Sequence, residues 1–511
     1  MAPVRTLRAV LVSAGLAAPA LAASSPADDV RAVYHRQHAQ RLVPLLTEAL
    51  RFPTVKGNVK ARDDQQAWLR RVASGLGLVV RDAGLVTEIE LEGPTGAPVL
   101  GLVVHGDVQP VVEADWSVPP FAGVEKHGVV WGRGAADDKG PMVQALLAMT
   151  ALKESGLTRT HTVRLLVGSD EESDNLDIAS YLKHHRPPDV GLVLDSSFPV
   201  VVGEKAWNAL TVTVGDPYVV RESRGQAPWT IVGLDAGLAK SIVPNRAVAA
   251  LEWRGESAKR AAAATALRRA RADGLAVEVA GEGPRVIVTA TGRAAHAGMN
   301  LEGGRNALVF LARTLHGQLL PSGAADLLAF AEEAGQDLHG TGLGITDEDP
   351  LWGRYAVNVA TIKPAEGRTG LRLTTNLRRI PPRTGQDLRA FLEKRVAGFN
   401  SGRGAQLVSG GFYDNEPLAF DPRSKLVKRL LASYQRATGT AERPAISGGG
   451  TYAKRLPNSI AFGMWFPGKP YPGHDTDEQI SVADLHEGVE VLIEALADLA
   501  CGPPLAKPLE P

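Results

Sequence analysis

Two adjacent carboxylates, Glu171 and Glu172, follow the run Thr162-Val163-Arg164-Leu165-Leu166-Val167 after Gly168-Ser169-Asp170. The apolar run reads as a strand, and the chain turns directly after it, where successive side chains point in opposite directions. One acid of such a pair can hold a metal while its neighbour takes a proton from water. Acidic clusters at strand ends also occur as solvated loop or helix-start residues, so the pair alone decides nothing. Its company does. Pro98 to Val104 leads into His105-Gly106-Asp107, and Val190 to Leu194 leads into Asp195. Unbroken apolar runs suit strands buried on both faces of a parallel sheet, and open α/β sheets keep their ligands at the carboxyl ends of strands. Three strands in succession thus end in a ligand-type residue.

Gly132-Arg133-Gly134-Ala135-Ala136-Asp137-Asp138-Lys139-Gly140 sets two more acids at the start of an amphipathic helix, Met142 to Leu152. Helix capping is the plain alternative there, and the loop lacks a phosphate-binding pattern, which excludes nucleotide binding. Two later loops, Ser447-Gly448-Gly449-Gly450-Thr451-Tyr452 and Gly473-His474-Asp475-Thr476-Asp477-Glu478, expose backbone and a second histidine. Histidines and carboxylates without thiolates suit zinc, and also manganese or cobalt. If one carboxylate bridges, five ligands hold two metals, which polarise a carbonyl and lower the pKa of a bound water towards roughly 7.

The elements that must position these groups fit a large α/β chain. The sequence has 511 residues, 44% of them hydrophobic, with Lys+Arg and Asp+Glu balanced at 56 each. No charge excess points to nucleic acid or an anionic membrane. The single cysteine, Cys501, excludes an internal disulfide. Arg5 and Arg8 precede the apolar run Ala9 to Leu16, and Ala20-Leu21-Ala22 offers a cleavage site. Residues 1–23 therefore read as a signal peptide, too short for a spanning anchor, and predict export to the periplasm or medium. Helical spacing predicts a helix over Val30 to Leu50, stopped by Phe52-Pro53, and a second from Asp64 to Ser74. Strands are expected at Leu78 to Val80, Val86 to Leu91 and Ile460 to Trp465, a hairpin at His127-Gly128, and helices at Leu176 to His184, Leu426 to Ala437 and Val482 to Leu499. From Ala209 the texture changes, which predicts an inserted α+β domain over 209–413 that divides a first domain into 24–208 and 414–503. Within the insert, Arg254 to Asp273 reads as a solvated Ala/Arg-rich helix. Residues 504–511 read as a loose tail.

His105-Gly106-Asp107-Val108, Gly132-Arg133-Gly134 with Asp137-Asp138-Lys139-Gly140, Asp170-Glu171-Glu172, Asp195 with Phe198-Pro199 and Gly203-Glu204-Lys205, and Gly448-Gly449-Gly450-Thr451-Tyr452 with His474 together resemble the M20 metallopeptidases. The likeness runs from about Val30 to Leu499 and is strongest to the PepV-like and carnosinase-like dipeptidases. It implies a zinc-exopeptidase-like catalytic domain, a mixed sheet flanked by helices, with a large inserted lid. It further implies that His105, Asp137 and Asp195 bind one zinc and Asp137, Glu172 and His474 the other. Glu171 is then the general base, Asp107 the acid that orients His105, and the Asp137–Asp138 peptide bond cis. In the lid, the resemblance makes His296 the stabiliser of the oxyanion and Arg378 the partner of a substrate carboxylate, with Gly449 and Gly450 supplying backbone donors.

Asp at 195 is similar to the dipeptidase and aminopeptidase members. The large lid implies a chain that completes its own site as a monomer, although dimerising large-lid relatives keep a homodimer open. Gln109, Ala206 and the Val111 to Asp115 loop depart from the family pattern at the rim and bear on specificity. The expected activity is hydrolysis of dipeptides or removal of the N-terminal residue of short peptides. The alternatives are an N-acyl amino acid amidohydrolase and a non-catalytic binding module; the complete ligand set opposes the latter.

Overall fold

In the computed structural model, strand Val99–His105 runs parallel between Thr162–Gly168 and Val190–Val193, and Ser459–Ala461 lies parallel on the far side of Val190–Val193. The flanks of this sheet are antiparallel, with Val79–Ala83 and Val86–Leu91 at one side and Val201–Glu204 at the other. The structure describes residues 25–221, 228–272, 275–281, 283–365, 369–505 and 508–510, so the expected signal peptide lies outside the described residues. Strand alternation sends Leu100, Leu102 and Val104 into the main core. Val103 faces the opposite side, against Ile178, Tyr181 and Tyr452. Both faces are thus covered by helices, as a sheet with buried parallel strands requires.

A second nine-stranded sheet, antiparallel throughout, draws its strands from Ala206–Val214 to Val408–Asn415. Helices Ala307–Leu315, Gly323–Ala334 and Gly385–Arg403 pack on it around a separate apolar core. This is the inserted domain expected as the lid, and the first sheet with its helices is the domain it interrupts, expected to be catalytic. Among the described residues, no helix is long and apolar enough to cross a membrane.

Several expected elements are corrected. The helix expected over Val30 to Leu50 is broken into Pro26–Val33, a π-helical turn at Tyr34–His38, a 3-10 turn at Ala39–Arg41, and Leu42–Leu50. Buried Tyr34 and His38 decide the break: Tyr34 Oη meets His486 Nδ1 at 2.7 Å and His38 Nε2 meets Glu154 at 2.8 Å. The next helix is longer than its apolar spacing, Val59–Gly75, because Asn58 accepts from Ala61 N and starts it early. The helix expected to be amphipathic, Lys139–Glu154, is instead buried on all sides from Lys139 to Leu152, wedged among the sheet, the N-terminal helices and Val482–Cys501. Its polar Gln144 Nε2 and Thr150 Oγ1 donate to the Leu485 and Leu146 carbonyls.

Among the described residues of 254–273 the helix is shorter than expected, Arg260–Arg269 after a 3-10 turn at Ser257–Lys259; Ala264 and Leu267 pin one side to the lid core and the Ala/Arg-rich remainder is largely exposed. The strand expected from Ile460 to Trp465 splits at Gly463, whose φ of 75° and contact with the Phe198 ring admit no side chain. Nor is the tail loose where it is described. The Pro508 and Glu510 carbonyls accept from Leu426 and Lys425 in the first turn of Lys425–Thr438, where helix amides lack internal partners, and Leu505 and Leu509 rest on the core.

Candidate active site

Register builds the floor of the site. His105 pairs with Gly168, so the ends of two parallel strands deliver His105 and the Ser169–Glu172 turn side by side. Four consecutive amides of that turn point at two carboxylates. Asp177 accepts from Ser169 N at 2.7 Å and Asp170 N at 3.0 Å, and Asp107 accepts from Glu171 N at 3.2 Å and Glu172 N at 3.0 Å. Tyr452 Oη donates to Asp177 from behind. Asp107 thus serves twice: its carboxylate holds the turn and lies 3.6 Å from His105 Nδ1, and its main-chain oxygen, 3.0 Å from Nδ1, adds to the orientation of the imidazole.

That orientation aims His105 Nε2 at Asp137 Oδ1, 3.0 Å away, with Asp195 Oδ2 at 3.8 Å. The other oxygen of Asp137 lies 3.3 Å from His474 Nε2, which also meets Glu172 Oε1 at 2.9 Å. Asp137 thus stands between the two imidazoles. Ligand atoms of Asp137, Glu172 and His474 fall within 4.8 Å of one another, as do those of His105, Glu171 and Asp195. The Asp137–Asp138 peptide bond is cis, and Asp138 Oδ2 accepts from His105 N at 3.1 Å.

The electrostatics suit divalent cations. Four buried or half-buried carboxylates, Asp137, Glu171, Glu172 and Asp195, crowd two imidazoles, and among the described residues no lysine or arginine forms a salt bridge to any of them. Burial pushes the Glu171 carboxyl well up from its ordinary range, and the Asp195 charge adds to it. Burial likewise raises Asp195, reinforced by Asp137 and Asp138. Burial opposes the charge of His474, but Glu172 and Asp137 outweigh it and lift the imidazole to about 10. These ligand types, with no lysine or arginine salt-bridged to them among the described residues, fit a pair of metal ions.

Opposite the floor stands the lid. His296 Nδ1 accepts from Gly298 N at 3.0 Å and Met299 N at 2.8 Å, which places the proton of the neutral ring on Nε2. Burial, with the His474 and Arg378 charges, holds this imidazole well below its ordinary value. Its ring centroid lies 4.4 Å from that of His474. Arg378, on strand Leu371–Arg379, is 3% exposed, its Nε has no partner, and burial lowers it to about 9. Arg378 and His296 line a cavity of about 100 Å³ together with Glu171, Glu172, Gly450 and His474. Gly449 lines the adjoining space over Asp137 and Asp195, but its amide is already bonded to Ser447 Oγ at 2.9 Å, so it is no free donor.

Residues 101–498 match the family described as Peptidase family M20/M25/M40. The chain belongs to that family. As an M20 peptidase it is a hydrolase of peptide bonds, and it is 29% identical over 411 residues to YtjP of Bacillus subtilis (strain 168), covering 80% of this chain and 85% of the relative. It is 28% identical over 403 residues to the Beta-Ala-Xaa dipeptidase of Lactobacillus delbrueckii subsp. lactis, covering 78% and 82%. The fold is similar to that of human carnosine dipeptidase 1, with a TM-score of 0.56 and 13% identity over 93% of this chain and 99% of that one.

The M20 site also uses residues that the motifs did not mark. Tyr471 Oη donates to Asp137 Oδ2 at 2.8 Å, and its place in Pro470-Tyr471-Pro472-Gly473-His474 was the available signal. Buried Glu478 gathers Arg133 Nη1 at 2.7 Å and the amides of Gly134, Ala136 and Asp137 at 3.1, 2.9 and 3.1 Å, which fixes the loop that carries Asp137. Gln109, the departure after His-x-Asp-Val, donates to Glu172 Oε2 at 2.8 Å and to Ser241 Oγ of the lid at 3.1 Å. Nothing in the spacing of these residues announces such long-range partners.

Proposed function

We propose that this chain is a dizinc exopeptidase that hydrolyses dipeptides or releases the N-terminal residue of short peptides. The observation that carries the reading is Asp137 set between two His-and-carboxylate groups, beside a cavity lined by Glu171, His474 and a buried arginine, Arg378, whose Nε has no partner. His105, Asp137 and Asp195 would hold one zinc, and Asp137, Glu172 and His474 the other; manganese or cobalt suit the same ligands. When bound, such a pair polarises the scissile carbonyl and acidifies water.

Glu171 removes a proton from the attacking water as its oxygen bonds to the carbonyl carbon. It returns that proton to the amine nitrogen as the C–N bond breaks. The Nε2–H of His296 donates to the oxygen on which negative charge develops. Arg378 takes the substrate's free carboxylate as a forked, charge-assisted pair, which favours substrates short enough to end in the cavity. The Beta-Ala-Xaa dipeptidase likeness and Asp195 support a dipeptide over an N-acyl amino acid. The N-terminal leader pattern supports export to the periplasm or medium, and a lid that brings His296 and Arg378 to its own chain's floor supports a monomer.

Assaying Ala-Ala and β-Ala-His beside N-acetyl amino acids tests the reading. Hydrolysis of the dipeptides is expected; turnover confined to the N-acetyl compounds would overturn it in favour of an amidohydrolase.

A further inference from the structure

Beyond Arg378 the cleft holds a second cation, reached across the lid sheet, with no acid to answer it. Sheet register sets Trp207 opposite Arg378 on one side and Asn415 on the other, so the three residues lie abreast across three strands. Tyr413, two residues before Asn415, shares their face. Its ring packs edge-on against Trp207, with centroids 4.5 Å apart. Arg455, just past the glycine loop of the catalytic domain, lies over this ledge and donates from Nη2 to Tyr413 Oη at 3.1 Å.

All five residues line the cavity that holds Arg378 and Glu171. Among the described residues, Arg455 has no carboxylate within salt-bridge distance. Nearby acids are otherwise engaged: Asp414 and Glu416 with Arg379, and Glu204 with the amide and hydroxyl of Thr451. The acids on the cavity lining, Glu171 and Glu172, sit on the floor among the ligand groups. The wall therefore presents two guanidiniums joined by an aromatic shelf, and a single α-carboxylate at Arg378 leaves Arg455 unanswered.

Resting on the dipeptidase reading, we propose that Arg455 selects dipeptides whose C-terminal residue has an acidic side chain. The α-carboxylate sits on Arg378, the aliphatic stem lies along Trp207 and Tyr413, and the aspartate or glutamate side-chain carboxylate pairs with Arg455.

Ala-Glu and Ala-Gln match in size and differ in charge, so their kcat/KM ratio on the full chain isolates the contact. A preference for Ala-Glu of about tenfold is expected, expressed in KM and shrinking as salt rises, because the Arg455 end of the wall is exposed. Arg455→Gln should bring the ratio to about one, while Arg455→Lys, which keeps the charge, should retain most of it. Equal efficiency on the two peptides in the wild type, or an unchanged ratio in Arg455→Gln, overturns the specificity and leaves the dipeptidase reading standing. Failure to hydrolyse any dipeptide overturns the dipeptidase reading, and the specificity with it.

Discussion

The floor and the wall of this cleft are built on opposite principles. On the floor, several acids are held by donors from other elements: Asp107 by two amides of the turn, Asp137 by the Tyr471 hydroxyl, Glu172 by Gln109, and Glu478 by the Arg133 side chain and three amides. On the wall, Arg378 has an unpartnered Nε and Arg455 rests on a neutral phenol. Carboxylates positioned by donors from several elements suit a constant occupant, whereas a buried cation left with an unmet donor suits an occupant that comes and goes. The difference assigns chemistry to the floor and recognition to the wall, and each assignment can be broken separately.

Removing the metals with a chelator should have the largest effect, lowering dipeptide hydrolysis by at least about 10³-fold, with recovery on adding zinc back. The same treatment should lower the thermal midpoint, since four crowded carboxylates lose their compensating charge. Full activity in metal-free protein would break the assignment of the floor. His296→Ala, a lid residue that reaches over the floor, should cost about 10² to 10³ in kcat with little change in KM. Arg378→Gln should cost about 10² in kcat/KM, carried mainly by KM, which is the mark of a recognition residue. An effect on kcat alone would move Arg378 to the floor. Tyr471→Phe should be smallest, no more than about tenfold in kcat, because it deletes one of several contacts that fix Asp137.

The division also tracks what could be read before the fold was known. His105, Asp195 and the Glu171-Glu172 pair stand at the ends of apolar strands, so local alternation and turn position expose them. The family motifs point to Asp137, His474, His296 and Arg378 as well. Glu478, Gln109 and Tyr471 are invisible on the same terms, because their partners lie up to 345 positions away or in the other domain. The Trp207–Tyr413–Arg455 shelf likewise exists only once strands 206–214 and 408–415 are in register. Elsewhere, apolar spacing overstated continuity. It could not register that Tyr34 and His38 find buried partners and open a π-helical turn, nor that Lys139–Glu154 would be enclosed on every side. N-terminal sequencing of exported protein tests the proposed leader: a start near Ala23 is expected, and a mature chain that keeps residues 1–22 would contradict it.

The most direct test of the account is metal content and dipeptide turnover measured on one preparation of Glu171→Ala. Two bound metals per chain are expected, because the proposed ligands are intact, with turnover reduced by about 10³ to 10⁴ because the base and proton carrier is gone. Near-normal turnover with two metals bound would remove Glu171 from the mechanism, and loss of a metal would make it a ligand instead.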